Sequence, residues 1–159
     1  MNVLLEAKGL RKYFPINKTF SQFFRPGALR QYVKAVDGVS FTVDYGKVVV
    51  FAGASGSGKT TVARLVMRAI DPDAGSIIFA ENDITQSKGK QLRDFRRAVQ
   101  MVYQDPYASL NPRMRVRDII MEPINIHDKT SSREQRFEKV LNALRDVGLE
   151  PAEDIAGRL

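Results

Sequence analysis

The stretch Gly53-Ala54-Ser55-Gly56-Ser57-Gly58-Lys59-Thr60 decides the fold, because it matches the phosphate-binding pattern G-x-x-x-x-G-K-[ST]. Its glycines let the backbone curl so that N–H groups point inward at phosphate oxygens. Lys59 supplies a positive charge for the β- and γ-phosphates, and the Thr60 hydroxyl is placed to ligate Mg²⁺. The stretch therefore predicts a binding site for a nucleoside triphosphate.

The residues on either side of this loop supply the context that the motif requires. Residues 47–52 (KVVVFA) are nearly all apolar and predict a buried strand of the parallel type. Residues 60–70 (TTVARLVMRAI) contain no helix breaker and carry apolar side chains at helical spacing. Such a helix directs backbone donors and its positive dipole end at the phosphates. Strand, loop and helix together predict an α/β fold with a P-loop NTPase core.

Composition is ordinary for a soluble globular domain and excludes several classes of function. The 159 residues are 43% hydrophobic and 27% charged. The absence of cysteine excludes disulfides, thiolate metal sites and cysteine nucleophiles. No apolar run approaches the roughly 20 residues of a membrane span, and charged residues interrupt the N-terminal stretch where a signal peptide would need an apolar core. We expect a cytosolic protein.

The net charge of +7 is concentrated near the N-terminus. Residues 1–34 contain seven basic residues against Glu6 alone, whereas the remaining 125 residues are almost neutral. Such a segment suits nucleic acid, anionic lipid or an acidic protein face, and it is equally compatible with a solvated surface. Since no nucleic-acid recognition motif accompanies it, we do not expect nucleic acid as a partner.

The rest of the chain predicts an N-terminal antiparallel β part, an α/β core and the start of an α-helical subdomain. We expect strands at 3–9, 76–79 and 99–103, a strand–turn–strand at 32–43 with its turn at Asp37-Gly38, and a helix at 88–97. Residues 15–31 form a basic, aromatic insertion. Beyond Tyr103, turn formers lead into amphipathic helices, so we place a boundary between residues 1–103 and 104–159.

One helix of the second part has recognisable ends. Ser131 with Glu134 predicts a capping box at its start. The predicted apolar face consists of Phe137, Val140, Leu141, Leu144 and Val147. Gly148 is a typical C-terminal stop.

The phosphate loop, Gln104 at the end of an apolar strand and the helical part that follows resemble the ATP-binding cassette of ABC transporters. Within that family, residues 102–113 (VYQDPYASLNPR) and 34–41 (KAVDGVSF) are similar to cassettes of the oligopeptide/dipeptide importers. The start at Tyr13-Phe14-Pro15, followed by a basic insertion, is similar to the second of the two ATPase subunits of those importers. The resemblance covers the whole chain.

The resemblance implies roles for individual residues. Phe14, or alternatively Tyr13, would stack on the adenine ring, and Gln104 would ligate Mg²⁺ and sense the γ-phosphate. The region from Gln104 to Arg117 would face the membrane-spanning subunits, although its arginines also fit a solvated helix start. The implied nucleotide-binding set is Tyr13, Phe14, Gly53, Ala54, Ser55, Gly56, Ser57, Gly58, Lys59, Thr60, Thr61 and Gln104, with Thr60 and Gln104 on the metal.

The sequence also departs from the family pattern. It has no glycine-rich signature, no apolar strand that ends in Asp-Glu and no switch histidine, because His127, the one histidine, lies between the two predicted helices of the second part. No catalytic set is therefore complete. We expect the N-terminal part of a cassette, which binds ATP–Mg²⁺ weakly and hydrolyses it poorly, or else a truncated, non-catalytic nucleotide-binding or docking module.

The resemblance implies partners and a location as well. These are a second, non-identical ATPase, the membrane-spanning permease subunits and, indirectly, an extracytoplasmic solute-binding protein. The ATPase would lie peripherally on the cytoplasmic face of the cytoplasmic membrane. The solute stays open between peptides, nickel and glutathione, because related cassettes serve all three.

Overall fold

A computed structural model describes residues 2–16, 31–105 and 110–159, and the chain divides into two compact units, Met1–Gln100 and Met101–Leu159. The first unit is built on an antiparallel sheet of four strands in the order β2-β1-β3-β4. Its elements are β1 (Val3–Pro15), β2 (Tyr32–Asp44), α1 (Lys59–Val66), β3 (Ala74–Phe79), β4 (Asn82–Asp83) and α2 (Gly89–Ala98).

The predicted turn at Asp37-Gly38 is wrong, because β2 runs without reversal through both residues. Gly38 has φ +78° and Gly9 of the facing strand has φ +55°. The ladder shifts register between Leu10, which pairs with Val39, and Arg11, which pairs with Asp37. The positive φ of Gly38 is thus absorbed as a bulge, which increases the local twist of the strand pair without turning the chain. The predicted strands at the start of the chain and at 76–79 are confirmed by β1 and β3.

The core of the first unit forms between the sheet and helices α1 and α2. Leu10 and Ile77 from the sheet and Leu65 from α1 are fully buried in it. The rings of Phe79 on β3 and Phe95 on α2 meet edge to face, with centroids 5.3 Å apart. The helix predicted at 88–97 is confirmed as α2.

Two predicted strands, 47–52 and 99–103, are wrong: neither segment forms a ladder in the part of the chain that the structure describes. Val48 and Val50 are 88% and 79% exposed, and Val102 is 96% exposed. Val49 and Phe51 face the other way, and the Phe51 ring contacts Phe41 at 4.9 Å between centroids. A strand exists only through hydrogen bonds to a neighbour, and no described strand lies beside these segments.

The second unit contains α3 (Val116–His127), α4 (Arg133–Asp146) and α5 (Ala152–Ala156). Its core consists of Val140, Leu141 and Leu144 from α4 with Ala152 and Ala156 from α5. Phe137 and Val147, predicted on the same apolar face, are exposed. Gly148 ends α4 with φ +73°, and its N–H donates to the Arg145 carbonyl at 2.9 Å, so the predicted stop is confirmed.

The predicted capping box is wrong by one residue. Ser132 is the N-cap of α4: its Oγ accepts from Gln135 N at 3.3 Å, and its N–H donates to Gln135 Oε1 at 2.9 Å. Ser131 turns instead to Asp128. His127 is the last residue of α3 rather than a residue between helices. None of the helices in the described ranges combines the length and the apolarity that a membrane-spanning helix requires.

Candidate nucleotide-binding site

The phosphate loop is an exposed turn that enters α1 through glycines in conformations that other residues rarely adopt. Gly56 and Gly58 have φ values of +80° and +90°. Gly58 also lies so close to β2 that a Cβ atom on it would approach the Ala35 carbonyl oxygen to 2.2 Å. The loop is thereby fixed against the sheet at one end, while residues 53–57 stay exposed.

Lys59 folds over its own loop. Its Nζ donates to the carbonyl oxygens of Gly53 at 2.9 Å and Ala54 at 2.7 Å, and to Ser57 Oγ at 3.2 Å. All three acceptors are neutral, so the ammonium charge is not neutralised by a carboxylate there. Because a charged oxygen binds an ammonium group more strongly than a neutral one does, a phosphate can replace these acceptors.

The start of α1 offers further donors. Its N-cap is Gly58, and no side chain caps the helix. The first-turn amides of a helix lack intrahelical acceptors, and the positive dipole end lies at the same place. Thr60, in this first turn, is exposed, and Thr61 follows it half-buried. This combination is suited to binding an anion.

The residues present also fit Mg²⁺ that arrives with a nucleotide. The Thr60 hydroxyl is a hard oxygen ligand, as Mg²⁺ requires. The described part of the chain contains no cluster of three or more His, Cys, Asp or Glu residues that could hold a metal by themselves. Mg²⁺ is typically held by few protein groups together with substrate phosphates, and this loop fits that mode.

The two aromatic candidates, Tyr13 and Phe14, lie on opposite faces of β1 because successive side chains of a strand alternate. The Tyr13 hydroxyl donates to Asp37 Oδ1 at 2.5 Å, and this hydrogen bond raises the pKa of Tyr13 and lowers the pKa of Asp37. Phe14 is 40% exposed, and the Lys12 ammonium lies 5.8 Å from its ring centroid. Lys12 pairs with Val36, so Lys12 and Phe14 share the face of the sheet that carries Val36.

Sequence reasoning missed the two carboxylates that hold this part of β1. Asp37 binds the Tyr13 hydroxyl, as above, and Asp73 accepts from Tyr13 N at 2.6 Å and from Lys12 Nζ at 2.8 Å. Hydrogen bonds from these two donors hold the pKa of Asp73 below its usual value. Both aspartates stand next to glycine or proline, which favoured a turn interpretation and gave no sign of a long-range contact.

Gln104 belongs to the second unit, where it is exposed on an irregular segment. Its pairing with Thr60 around Mg²⁺ therefore stays a prediction. Residues 106–109 of the predicted docking region and residues 17–30 of the basic insertion lie outside the described residues.

The family model described as ABC transporter matches residues 36–156, which include the phosphate loop and helices α3, α4 and α5. This chain belongs to the ABC transporter family. Solved cassettes confirm the predicted fold class. A dimeric ATP-binding cassette in a post-hydrolysis state, bound to ADP and Pi, superposes with a TM-score of 0.72 at 19% identity, over 97% of this chain and 60% of that one. A nucleotide-free cassette gives a TM-score of 0.64 at 23% identity, over 99% of this chain and 59% of that one.

Curated relatives of this ABC transporter chain bear peptide-transport names. The chain is 43% identical to the oligopeptide transport ATP-binding protein AppF of Bacillus subtilis, over 98% of this chain and 45% of that protein. It is 44% identical to the dipeptide transport ATP-binding protein DppF of Haemophilus influenzae, over 92% of this chain and 42% of that protein. The chain thus spans less than half the length of these relatives.

Proposed function

We propose that this chain supplies the phosphate-binding part of an ATPase subunit that couples ATP binding and hydrolysis to the uptake of peptides. The observation that carries the proposal is the Lys59 ammonium, held over the loop by three neutral acceptors beside an uncapped helix start. Each of these contacts can be exchanged for a phosphate oxygen. The peptide-transport names of the relatives support the solute class. Nickel and glutathione stay open as alternatives.

We infer that Phe14, rather than Tyr13, stacks on the adenine ring. Phe14 shares the face of the sheet with Val36, and the Val36 Cγ2 atom lies 3.9 Å from the place of a Cβ atom on Gly58, at the start of α1. Tyr13 faces the other way and its hydroxyl is bound to Asp37. A partly exposed aromatic ring on the side of the phosphate loop is the better platform for a base.

We propose that Thr60 and Gln104 ligate Mg²⁺, and that hydrolysis by this chain alone is slow. Phosphoryl transfer depends on charge neutralisation and on a group that orients the attacking water. Charge neutralisation comes from the loop amides, Lys59 and the metal. A group that orients the attacking water is missing, because the sequence contains no glycine-rich signature, no strand that ends in Asp-Glu and no switch histidine.

We propose the partners on the same basis. A second, non-identical ATPase subunit would complete the site, and permease subunits would contact the region from Gln104 to Arg117. An extracytoplasmic solute-binding protein would act indirectly, and the subunit would lie on the cytoplasmic face of the cytoplasmic membrane. A second candidate function is a non-catalytic nucleotide-binding or docking module, which needs only the exposed phosphate loop and the uncapped start of α1. The proposed division into residues 1–103 and 104–159 separates the loop from this docking region.

Calorimetric titration of the 159-residue chain with ATP, with and without Mg²⁺, tests the proposal. We expect Lys59→Ala to weaken ATP binding about tenfold to a hundredfold, since it removes hydrogen bonds from a charged donor. The matched control is Lys47→Ala, an exposed lysine before the loop, which should leave the affinity unchanged. Equal affinities of the Lys59→Ala variant and the wild type would refute the assignment, and fast ATP turnover by the pure chain would refute the slow-hydrolysis proposal.

A further inference from the structure

Arg68 stands at the end of the phosphate-loop helix in an unusual conformation. It follows the C-cap Met67 of α1 and has φ +51°, in the left-handed region. The amide of Ala69 donates to the Arg64 carbonyl at 2.9 Å, as in a helix end of the Schellman type. Glycine is the usual residue at this position, so an arginine there is strained. Arg68 is nevertheless only 4% exposed.

The buried guanidinium binds Ile84 and Asp71, while the backbone carbonyl of Arg68 provides the contact with α2. Arg68 NH1 donates to the carbonyl of Ile84, which follows β4, and its NH2 donates to Asp71 Oδ1 at 2.7 Å. The Arg68 carbonyl accepts from Arg96 NH2 of α2 at 2.5 Å. The remaining Nε is buried and has no acceptor among the described residues. A buried charge with directional bonds favours one arrangement of its neighbours, because any shift leaves donors unsatisfied.

We propose that Arg68 is a positioning residue: its guanidinium holds its backbone carbonyl in place, and through that carbonyl α2 follows α1 when nucleotide binds at the phosphate loop. The inference rests on the proposed nucleotide site. Helix α1 has eight residues, with Lys59 and Thr60 in its first turn and Arg68 just beyond its end. Little more than two hydrogen-bonded turns connect this first turn to Arg68, so we expect a displacement at the first turn to extend to Arg68. The hydrogen bond from Arg96 to the Arg68 carbonyl would pass this displacement to α2, which ends six residues before Gln104.

Hydrogen exchange measured by mass spectrometry tests this link in the 159-residue chain, with and without saturating ATP–Mg²⁺. Arg96→Met removes the side chain that donates to the Arg68 carbonyl, at an exposed position. Arg97→Met on the same helix is the matched control. In the wild type and in Arg97→Met, we expect nucleotide to slow exchange in α2 by about threefold to thirtyfold. In Arg96→Met this slowing should vanish while the affinity for ATP stays within about threefold, because the loop is intact.

Arg68→Met keeps the backbone carbonyl that accepts from Arg96 but removes the guanidinium contacts with Ile84 and Asp71 that hold this carbonyl in place. If the guanidinium positions the carbonyl, the slowing in α2 should vanish in Arg68→Met as well. If Arg68→Met fails to fold, the exposed Arg96→Met variant still decides the question. Nucleotide-dependent slowing in α2 that persists in Arg96→Met would overturn the inference, as would its absence from the wild type despite normal binding. An absence of ATP binding to the wild type would overturn the proposed function itself, and calorimetry distinguishes that case.

Discussion

The starts of helices α1 and α4 solve the same problem in opposite ways. At α4, Ser132 and Gln135 exchange two hydrogen bonds, so two backbone N–H groups of this helix start have side-chain partners. At α1, the N-cap is a glycine in the left-handed region and no side chain caps the helix. A capped start stabilises the helix, whereas an uncapped start keeps its donors for an external anion.

The lysines whose ammonium groups lie near these two helix starts also differ in whether they have a partner of opposite charge within the chain. Lys139 of α4 forms a salt bridge with Asp128, whose carboxylate also accepts from Ser131 and Thr130. Lys59 binds only neutral oxygens among the described residues. An ion pair holds a structure in place, while an ammonium on neutral acceptors can be taken over by a phosphate. The comparison separates a structural helix start from a ligand-binding one.

The largest effect should follow from Gly58→Ala at the start of α1. The new Cβ would lie 2.2 Å from the Ala35 carbonyl oxygen, and the residue would keep φ +90°. We expect a loss of about 2–5 kcal/mol in the free energy of unfolding, from backbone strain together with overpacking. ATP binding should also be lost, because the loop must move away from β2. Chemical denaturation followed by circular dichroism measures the first effect and calorimetry the second.

Gly46→Ala is the control for the backbone contribution alone. Gly46 has φ +69°, and a Cβ atom there would meet nothing within 4 Å. We expect a loss of about 1–2 kcal/mol and unchanged ATP binding. If the two glycine variants lost equal stability, the close approach of the loop to β2 would not contribute to the loss in Gly58→Ala.

Local chemistry sufficed to predict the phosphate loop, the stop of α4 at Gly148 and helix α2. In each, neighbouring residues determine the outcome: a glycine pattern, a left-handed glycine or a helical period. The end of α1 was not predictable in this way. It ends at Val66, four residues before the predicted Ile70, because Arg68 adopts a conformation that its own propensity disfavours and long-range bonds stabilise.

The strands predicted at 47–52 and 99–103 failed for the opposite reason. Apolar content indicates that a segment can be buried in a sheet, but the sheet itself depends on a neighbouring strand elsewhere in the chain. The Asp37-Gly38 error is similar, because a glycine with positive φ serves a turn and a bulge equally well, and only the facing strand decides between them. The roles of Asp37 and Asp73 likewise depend on contacts with β1 that no local pattern reveals.

A smaller effect is expected at Asp128, next to the start of α4, and it depends on pH. Hydrogen bonds from Lys139 and Ser131 lower the pKa of Asp128. Its contribution to stability is therefore present above the unfolded-state pKa of about 3.9 and is lost as the pH falls toward the folded-state value. Asp128→Asn should lower the free energy of unfolding at pH 7. It should also make that free energy fall less steeply below about pH 4.

Thermal unfolding of both proteins between pH 7 and pH 2 measures this difference. The matched control is Asp146→Asn, an exposed carboxylate at the end of α4 that forms no salt bridge within the described ranges. An acid transition that is unchanged in Asp128→Asn would show that the ion pair with Lys139 does not contribute to stability.

The smallest effect should come from the cap itself. Ser132→Ala removes the acceptor for Gln135 N and should lower the free energy of unfolding by about 1 kcal/mol, whereas Ser132→Gly should cost only a few tenths, about 0.3 kcal/mol. Neither change touches the phosphate loop, so ATP binding should stay as in the wild type. Denaturant titrations of both variants give the difference. Glycine is already the N-cap of α1. A small loss in Ser132→Gly would therefore mean that a glycine N-cap lowers the stability of this chain only slightly. Helix α1 could then keep its donors for phosphate with almost no loss of stability.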